Sequence, residues 1–217
     1  MVTRDQFQQE LEELDKSIIE LARDAGKALQ DAIEALYNQD SDLAKRIIEE
    51  DSKIDRKELD INNKAILLIA KQQPVATDLR RIIIVLRIVT DIERMADNAK
   101  NIARSTIHLG ENTSMLPQGL RKMQEMTMEM LEVAILAFQK EDIVSAGKLA
   151  EMDDKVDKLY KKVVSELLGE TATNPDKIQF VMQVSYCGRY VERFADHITN
   201  IGESILYLVK GENFNLN

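Results

Sequence analysis

Apolar residues recur at three- and four-residue spacings along almost the whole chain, the period of an amphipathic α-helix, and the breaks in that rhythm mark off six helices. Thr3-Arg4-Asp5-Gln6 reads as a capping box that opens the first helix, which runs to about Asn38. Asp40 and Ser41 are N-cap candidates for a second helix reaching Lys71, where Gln72-Gln73-Pro74 stops it. Thr77-Asp78 is expected to cap a third helix ending near His108, before a polar linker from Gly110 to Ser114. The order then repeats with helices over Pro117 to Lys140, Asp142 to Leu168, and Asn174-Pro175 to Gly211, the last with Pro at its first position and Gly just past its end. At 1.5 Å per residue the second, third, fifth and sixth helices are each roughly 45 Å long, a length suited to elongated antiparallel bundles.

The two halves also match letter by letter. A shift of 102 places Ala32, Asp40, Ala44, Glu49, Asp51, Lys53 and Asp55 on Ala134, Asp142, Ala146, Glu151, Asp153, Lys155 and Asp157 without a gap. A shift of 99 places Val85, Glu93, Arg94, Ala96, Asp97, Asn101 and Ile102 on Val184, Glu192, Arg193, Ala195, Asp196, Asn200 and Ile201. The predicted fold is therefore all-α: two tandem three-helix bundles related by an internal repeat, residues 1–113 and 114–217.

Composition narrows the function classes. A 217-residue chain with 44% hydrophobic residues can bury a core, and three prolines with eight glycines leave long helices unbroken. A formal net charge of -9 disfavours nucleic acid as a partner. The first residues show no cationic stretch followed by an apolar run, so a cytoplasmic location is expected. Apolar runs such as Ile82 to Leu86 are far short of the roughly 20 residues that span a bilayer, so any membrane association is expected to be peripheral, through partners. The single cysteine, Cys187, excludes an internal disulfide and reads as a small core residue.

The chemistry concentrates in acids. The third and sixth helices each carry Glu, Asp and Asn at steps of four, so Glu93, Asp97 and Asn101 form one oxygen-bearing column and Glu192, Asp196 and Asn200 another. Each column borders an apolar stripe: Val85, Ile88, Ile92, Met95, Ala99 and Ile102, matched by Val184, Cys187, Val191, Phe194, Ile198 and Ile201. In the second helix Asp51 and Asp55 interrupt a stripe read as Ala44, Ile48, Leu59, Asn62, Ile66 and Ile69. In the fifth, Asp153 and Asp157 interrupt Ala146, Ala150, Val164 and Leu168. Antiparallel packing of these helices would gather four carboxylates, which must take up protons, hold a cation or turn to water. All-oxygen ligation favours iron, manganese, magnesium or calcium over zinc. Acids at i,i+4 beside Lys and Arg equally describe a solvated helix face, and on the residues alone the two readings are balanced.

No nucleophile-base pair, phosphate-binding loop or cofactor fingerprint is present, and neither His108 nor His197 has the Glu three residues earlier that ferritin-like di-iron enzymes use. A di-metal carboxylate enzyme and a metal-free helical scaffold stand as the alternatives to a binding protein. Arg94 and Arg193 read as ion-pair partners of the adjacent acids, and the turn from Gln73 to Arg80 as a capped helix start.

QPVATDLRRI, DIERMADNAKNIA, AEMDDKVDKLY, YVERFADHITNIGE and the ending YLVKGENF, over nearly the whole chain, closely resemble the PhoU family of bacterial phosphate-uptake regulators. The resemblance implies two three-helix bundles whose paired acidic motifs hold iron, manganese or magnesium, in multinuclear clusters. Matched residue by residue, those ligands are Asp51, Asp55, Glu93 and Asp97 in the first half and Asp153, Asp157, Glu192 and Asp196 in the second, with Asn101 and Asn200 beside them. Both sets are intact by letter, although Asp91 corresponds to Tyr190. The family further implies a non-catalytic, dimeric adaptor in the cytoplasm, acting between the ATPase subunit of a phosphate ABC transporter and a sensor histidine kinase to restrain phosphate uptake and phosphate-responsive transcription.

Overall fold

In the computed structural model, which describes residues 4–111 and 115–216, all regular structure among the described residues is helical. The six long helices are α1 (Arg4–Asn38), α2 (Ser41–Gln72), α3 (Ala76–Leu109), α4 (Gln118–Lys140), α5 (Ile143–Thr173) and α6 (Ile178–Lys210). The predicted Thr3 cap and most of the predicted linker fall outside the described residues. No helix among the described residues is long and apolar enough to cross a membrane.

α1, α2 and α3 pack on one another, as do α4, α5 and α6, so the chain is two three-helix bundles in tandem. The bundles meet chiefly through α3 against α6, the most extensive helix pairing in the molecule, with α1 crossing α4 beside it. Contacts along the α3–α6 seam show that the two run antiparallel. Arg80, early in α3, bonds the carbonyl of Leu208 near the end of α6 at 3.4 Å, and Asp91 in mid-α3 meets His197 at 2.9 Å. At the α1–α4 crossing Gly26 allows a close approach: a Cβ there would stand 2.6 Å from Leu131 Cδ2, which would have to shift. A further clamp is Arg81, whose guanidinium donates to Asp15 of α1 at 2.6 Å and also to Glu141, at the end of α4.

The repeat is visible in the turns. α1 and α4 each end with a residue in the left-handed region, Gln39 (φ 54°) and Glu141 (φ 52°), and the next residue, Asp40 or Asp142, donates its amide back at 2.9 Å to Ala35 or Ala137. Each of these aspartates then caps the following helix. Asp40 Oδ1 accepts from the amides of Asp42 (3.1 Å) and Leu43 (2.8 Å), and Asp142 Oδ1 accepts from Val144 (2.9 Å) and Ser145 (3.3 Å).

Other predicted boundaries shift. α3 starts at Ala76 after an extended Val75 that provides no side-chain cap, so Thr77 and Asp78 lie inside the first turn, where Asp78 complements the helix dipole. α5 continues to Thr173 rather than stopping at Leu168, because Gly169 weakens a helix without ending it. Pro175 opens a short 3-10 turn, Pro175–Lys177, ahead of α6 rather than α6 itself.

The apolar stripes predicted for α3 and α6 are buried throughout, with no member more than 4% exposed. Those of α2 and α5 are rotated. The buried seam of α2 is Ala44, Ile47, Asp51, Ile54, Ile61, Ala65 and Leu68, and that of α5 is Ala146, Leu149, Asp153, Val156, Val163 and Leu167. Leu59, Ile66 and Leu168, predicted as packing positions, are more than half exposed. A 3-4-3-4 spacing thus replaces the predicted one and keeps Asp51 and Asp153 on the seam.

The Asp40 cap yields a direct test. Asp40→Ala should cost about 1 kcal/mol of stability and Asp40→Asn much less, read from the midpoint of urea unfolding.

Candidate metal centres

Each bundle brings at least one aspartate of its middle helix against the acids of its last helix. In the first bundle Asp51 on α2 is 8% exposed and shares a single cation with Asp97 on α3: Lys100 Nζ lies 2.5 Å from Asp51 Oδ2 and 2.5 Å from Asp97 Oδ1. Arg94 approaches Glu93 at 3.5 Å and Asp97 at 3.7 Å from the outer side. Asp55, four residues after Asp51, is exposed and lies at the rim.

Burial raises the pKa of Asp51, and Lys100 opposes that rise. Burial likewise raises Glu93, reinforced by the neighbouring charge of Asp97. The Lys100 ammonium is itself penalised by burial, but its bonds to Asp51 and Asp97 outweigh that and hold its pKa above the ordinary lysine value.

The second bundle has the same acids and a different balance. Asp153 on α5 is 9% exposed and Glu192 on α6 is 7% exposed. Asp157, Glu192 and Asp196 each present a carboxylate oxygen within 4.8 Å of the others, and no other trio of Asp, Glu, His or Cys among the described residues does so. Arg189 donates to Oε1 of Glu192, while Lys161 stands 3.8 Å from Asp157 with most of its side chain in water. Three buried oxygens of this patch have no hydrogen-bond partner among the described residues: Asp153 Oδ1, Asp157 Oδ1 and Glu192 Oε2.

A buried acceptor without a donor is costly, and carboxylates facing one another add repulsion. The pKa values register both effects. Asp153 is pushed up to about 7 by burial and then by the charges of Asp196 and Asp157. Glu192 is pushed up to about 7 by burial and Asp196, against the pull of Arg189. Asp196 is raised by burial. An all-carboxylate set with unpartnered buried oxygens fits a hard divalent cation, and the donor chemistry of Asp153, Asp157, Glu192 and Asp196 is right for one.

The remaining predicted ligands have other contacts. Asn101 accepts from Arg104 at 3.0 Å, and Asn200 donates to Asp91 across the α3–α6 seam at 3.1 Å. Asp91, whose counterpart is Tyr190, serves that seam through His197 and Asn200. A cleft of about 510 Å³ also follows the seam and is walled by Arg87, Glu203, Tyr207 and Phe214. Its acids are engaged, Asp91 as above and Glu203 by the amide of Leu216 at 2.7 Å. Lys100, which bonds both Asp51 and Asp97, is not among the residues that the sequence singles out. Its signal was present, since position 100 pairs with Thr199 under the same shift that aligns the acids. Cys187 is a buried core residue whose thiol pKa burial pushes up to about 12.

The PhoU domain family model matches residues 18–106 and again 120–205, one match on each bundle. The chain belongs to the PhoU family. It is 36% identical over its full length to the phosphate-specific transport system accessory protein PhoU homolog of Clostridium acetobutylicum, all of which is covered. It is 34% identical to the Escherichia coli K12 accessory protein PhoU over 96% of this chain and 87% of that protein. Among solved structures, PhoU from Pseudomonas aeruginosa superposes with a TM-score of 0.89 at 34% identity, covering 95% of this chain and all of that one. The phosphate transport system regulatory protein PhoU from Streptococcus pneumoniae gives 0.90 at 30% identity, covering 97% of this chain and all of that one.

The raised carboxyls predict a pH dependence for the cation-free protein. Asp153 and Glu192 hold protons in the folded chain up to about pH 7, whereas unfolded carboxyls release them near pH 4. Between those limits the folded state binds more protons, so its stability falls as pH rises. Chelator-treated protein should therefore melt at a lower temperature at pH 8 than at pH 5, and Asp153→Asn should flatten the slope, as measured by circular dichroism.

Proposed function

We propose that this chain is a non-catalytic accessory and regulatory protein of phosphate transport that holds a divalent or transition metal cation between α5 and α6. The observation that carries the first part is the family match on both bundles, together with full-length relatives named as phosphate-specific transport system accessory proteins. The cation reading rests on the three unpartnered buried oxygens of Asp153, Asp157 and Glu192 beside Asp196. Manganese, magnesium and iron, singly or in a cluster, all suit such ligands.

In this role the chain works by contact. It docks on the ATPase subunit of a phosphate ABC transporter and on a sensor histidine kinase, acts in the cytoplasm as a homodimer, and reaches the membrane only through those partners. The bound cation neutralises the buried carboxylates and stiffens the α5–α6 pair without altering any substrate. Asp153 and Glu192 supply the driest oxygens, and Arg189 holds the Glu192 carboxylate from its other side.

In cells lacking their own copy, the chain should restore repression of a phosphate-responsive promoter at high phosphate. It should also co-purify with the transporter ATPase subunit and the kinase. Failure to repress and failure to capture either partner would sink the regulatory reading. Elemental analysis of protein purified without chelator tests the cation separately: Glu192→Gln combined with Asp196→Asn should lose most of the bound metal while circular dichroism still reports a folded helical protein.

A further inference from the structure

The two acidic patches descend from one repeat and keep the same four acids, yet the space between the helices is filled differently. Lys100 reaches into the first patch from α3, only 16% exposed at its side chain, and bonds one carboxylate on each side of the α2–α3 seam at 2.5 Å. The ammonium thereby stands between the two helices. Thr199 holds the equivalent position on α6; it is fully buried, and its hydroxyl donates back to the carbonyl of Ala195 at 3.3 Å. A hydroxyl brings no charge, and this one is already engaged with its own helix.

The satisfaction of the acids follows that difference. No oxygen of Asp51, Glu93 or Asp97 is buried without a partner, whereas Asp153, Asp157 and Glu192 each have one that is. Asp153 and Glu192 are more than nine-tenths buried, and Glu192 stands among the three acids whose oxygens converge within 4.8 Å. We infer that the first patch carries its own cation, the Lys100 ammonium, and that the exchangeable divalent cation is taken only by the second patch, between α5 and α6. This inference rests on the proposal that the second patch binds a cation at all.

The physical reason is competition. A divalent ion entering the first patch must displace Lys100 from two charge-assisted hydrogen bonds, and a long side chain rooted on α3 cannot carry its charge far from the seam. An ammonium remaining within about 4 Å of a divalent ion repels it strongly in a poorly solvated setting, enough to weaken binding by at least about tenfold. In the second patch, Arg189 leaves Glu192 Oε2 open, and Lys161 is a solvated side chain with little hold on Asp157.

The test uses the full chain, stripped with chelator, dialysed and titrated with Mn²⁺, with free ion followed by electron paramagnetic resonance and bound metal by elemental analysis. Tight Mn²⁺ should be lost from Asp157→Asn and retained by Asp51→Asn. Lys100→Met should add tight Mn²⁺ to the wild-type complement, and Lys100→Met with Asp51→Asn should lose that addition. Lys100→Met leaves Asp51 and Asp97 without their counter-charge, so it is also expected to melt lower without Mn²⁺ and to recover with it. If Lys100→Met does not fold, the Asp51→Asn and Asp157→Asn comparison decides alone. Equal loss of Mn²⁺ from those two variants would overturn the inequality of the patches and leave cation binding standing. A wild-type chain that takes up no tight Mn²⁺ would overturn cation binding and this inference together.

Discussion

Carboxylates drawn into a helix seam must find positive charge or keep a proton, and this requirement shapes the middle of both bundles. Two carboxylates about 5 Å apart repel by about 3 kcal/mol at the effective dielectric typical of protein surfaces, before desolvation is counted. Asp51 and Asp153 sit on the packed stripes of their helices, where an apolar residue would otherwise be, so neither can turn fully to water. In the first bundle the chain answers with an ammonium from the neighbouring helix. In the second the same acids are left with unpartnered oxygens and raised pKa values, which makes their protonation state and any bound cation part of the fold's energetics.

α3 and α6 bear the rest of the architecture because each serves two neighbourhoods. Each closes its own bundle with a fully buried apolar stripe, and the two pair with each other to join the bundles. The acids of the second patch and the polar ties of the joint lie on the same turns of α6: His197, bonded to Asp91, directly follows Asp196, and Asn200 lies one turn further on. Patch and joint thus share one uninterrupted helix, α6.

Much of this was legible in the letters. The stripes of α3 and α6 are readable because each helix is covered on most sides, so an apolar stripe read along it falls on buried positions. The caps at Asp40 and Asp142 were readable because a short acid before a periodic run has few other uses. α2 and α5 were harder. Their apolar residues, Ile47 and Ile48 or Val163 and Val164, lie side by side, and the sequence does not say which of two adjacent residues packs and which faces water. Asp55 was expected on the seam for that reason and lies outside it. Asn101 and Asn200 continue the acidic columns by spacing alone, and the helical drift over eight residues gives them other neighbours, Arg104 and Asp91.

Lys100 was hidden for another reason. In a repeat, agreeing letters mark shared chemistry, and a lysine opposite a threonine is a disagreement. Yet the shared letters set up the problem and the differing one determines its solution. A lysine fixed on α3 meets Asp51 and Asp97 at a concentration set by the chain, whatever the composition of the surrounding solution. A diffusible ion is subject to mass action, and the stability it lends grows with its free concentration relative to its dissociation constant. With Lys100 in one patch and Thr199 in the other, the first patch carries a counter-charge of its own, while the second keeps buried carboxylate oxygens without a partner. Duplication followed by that difference therefore leaves one patch with a fixed counter-charge and one without, joined along α3 and α6.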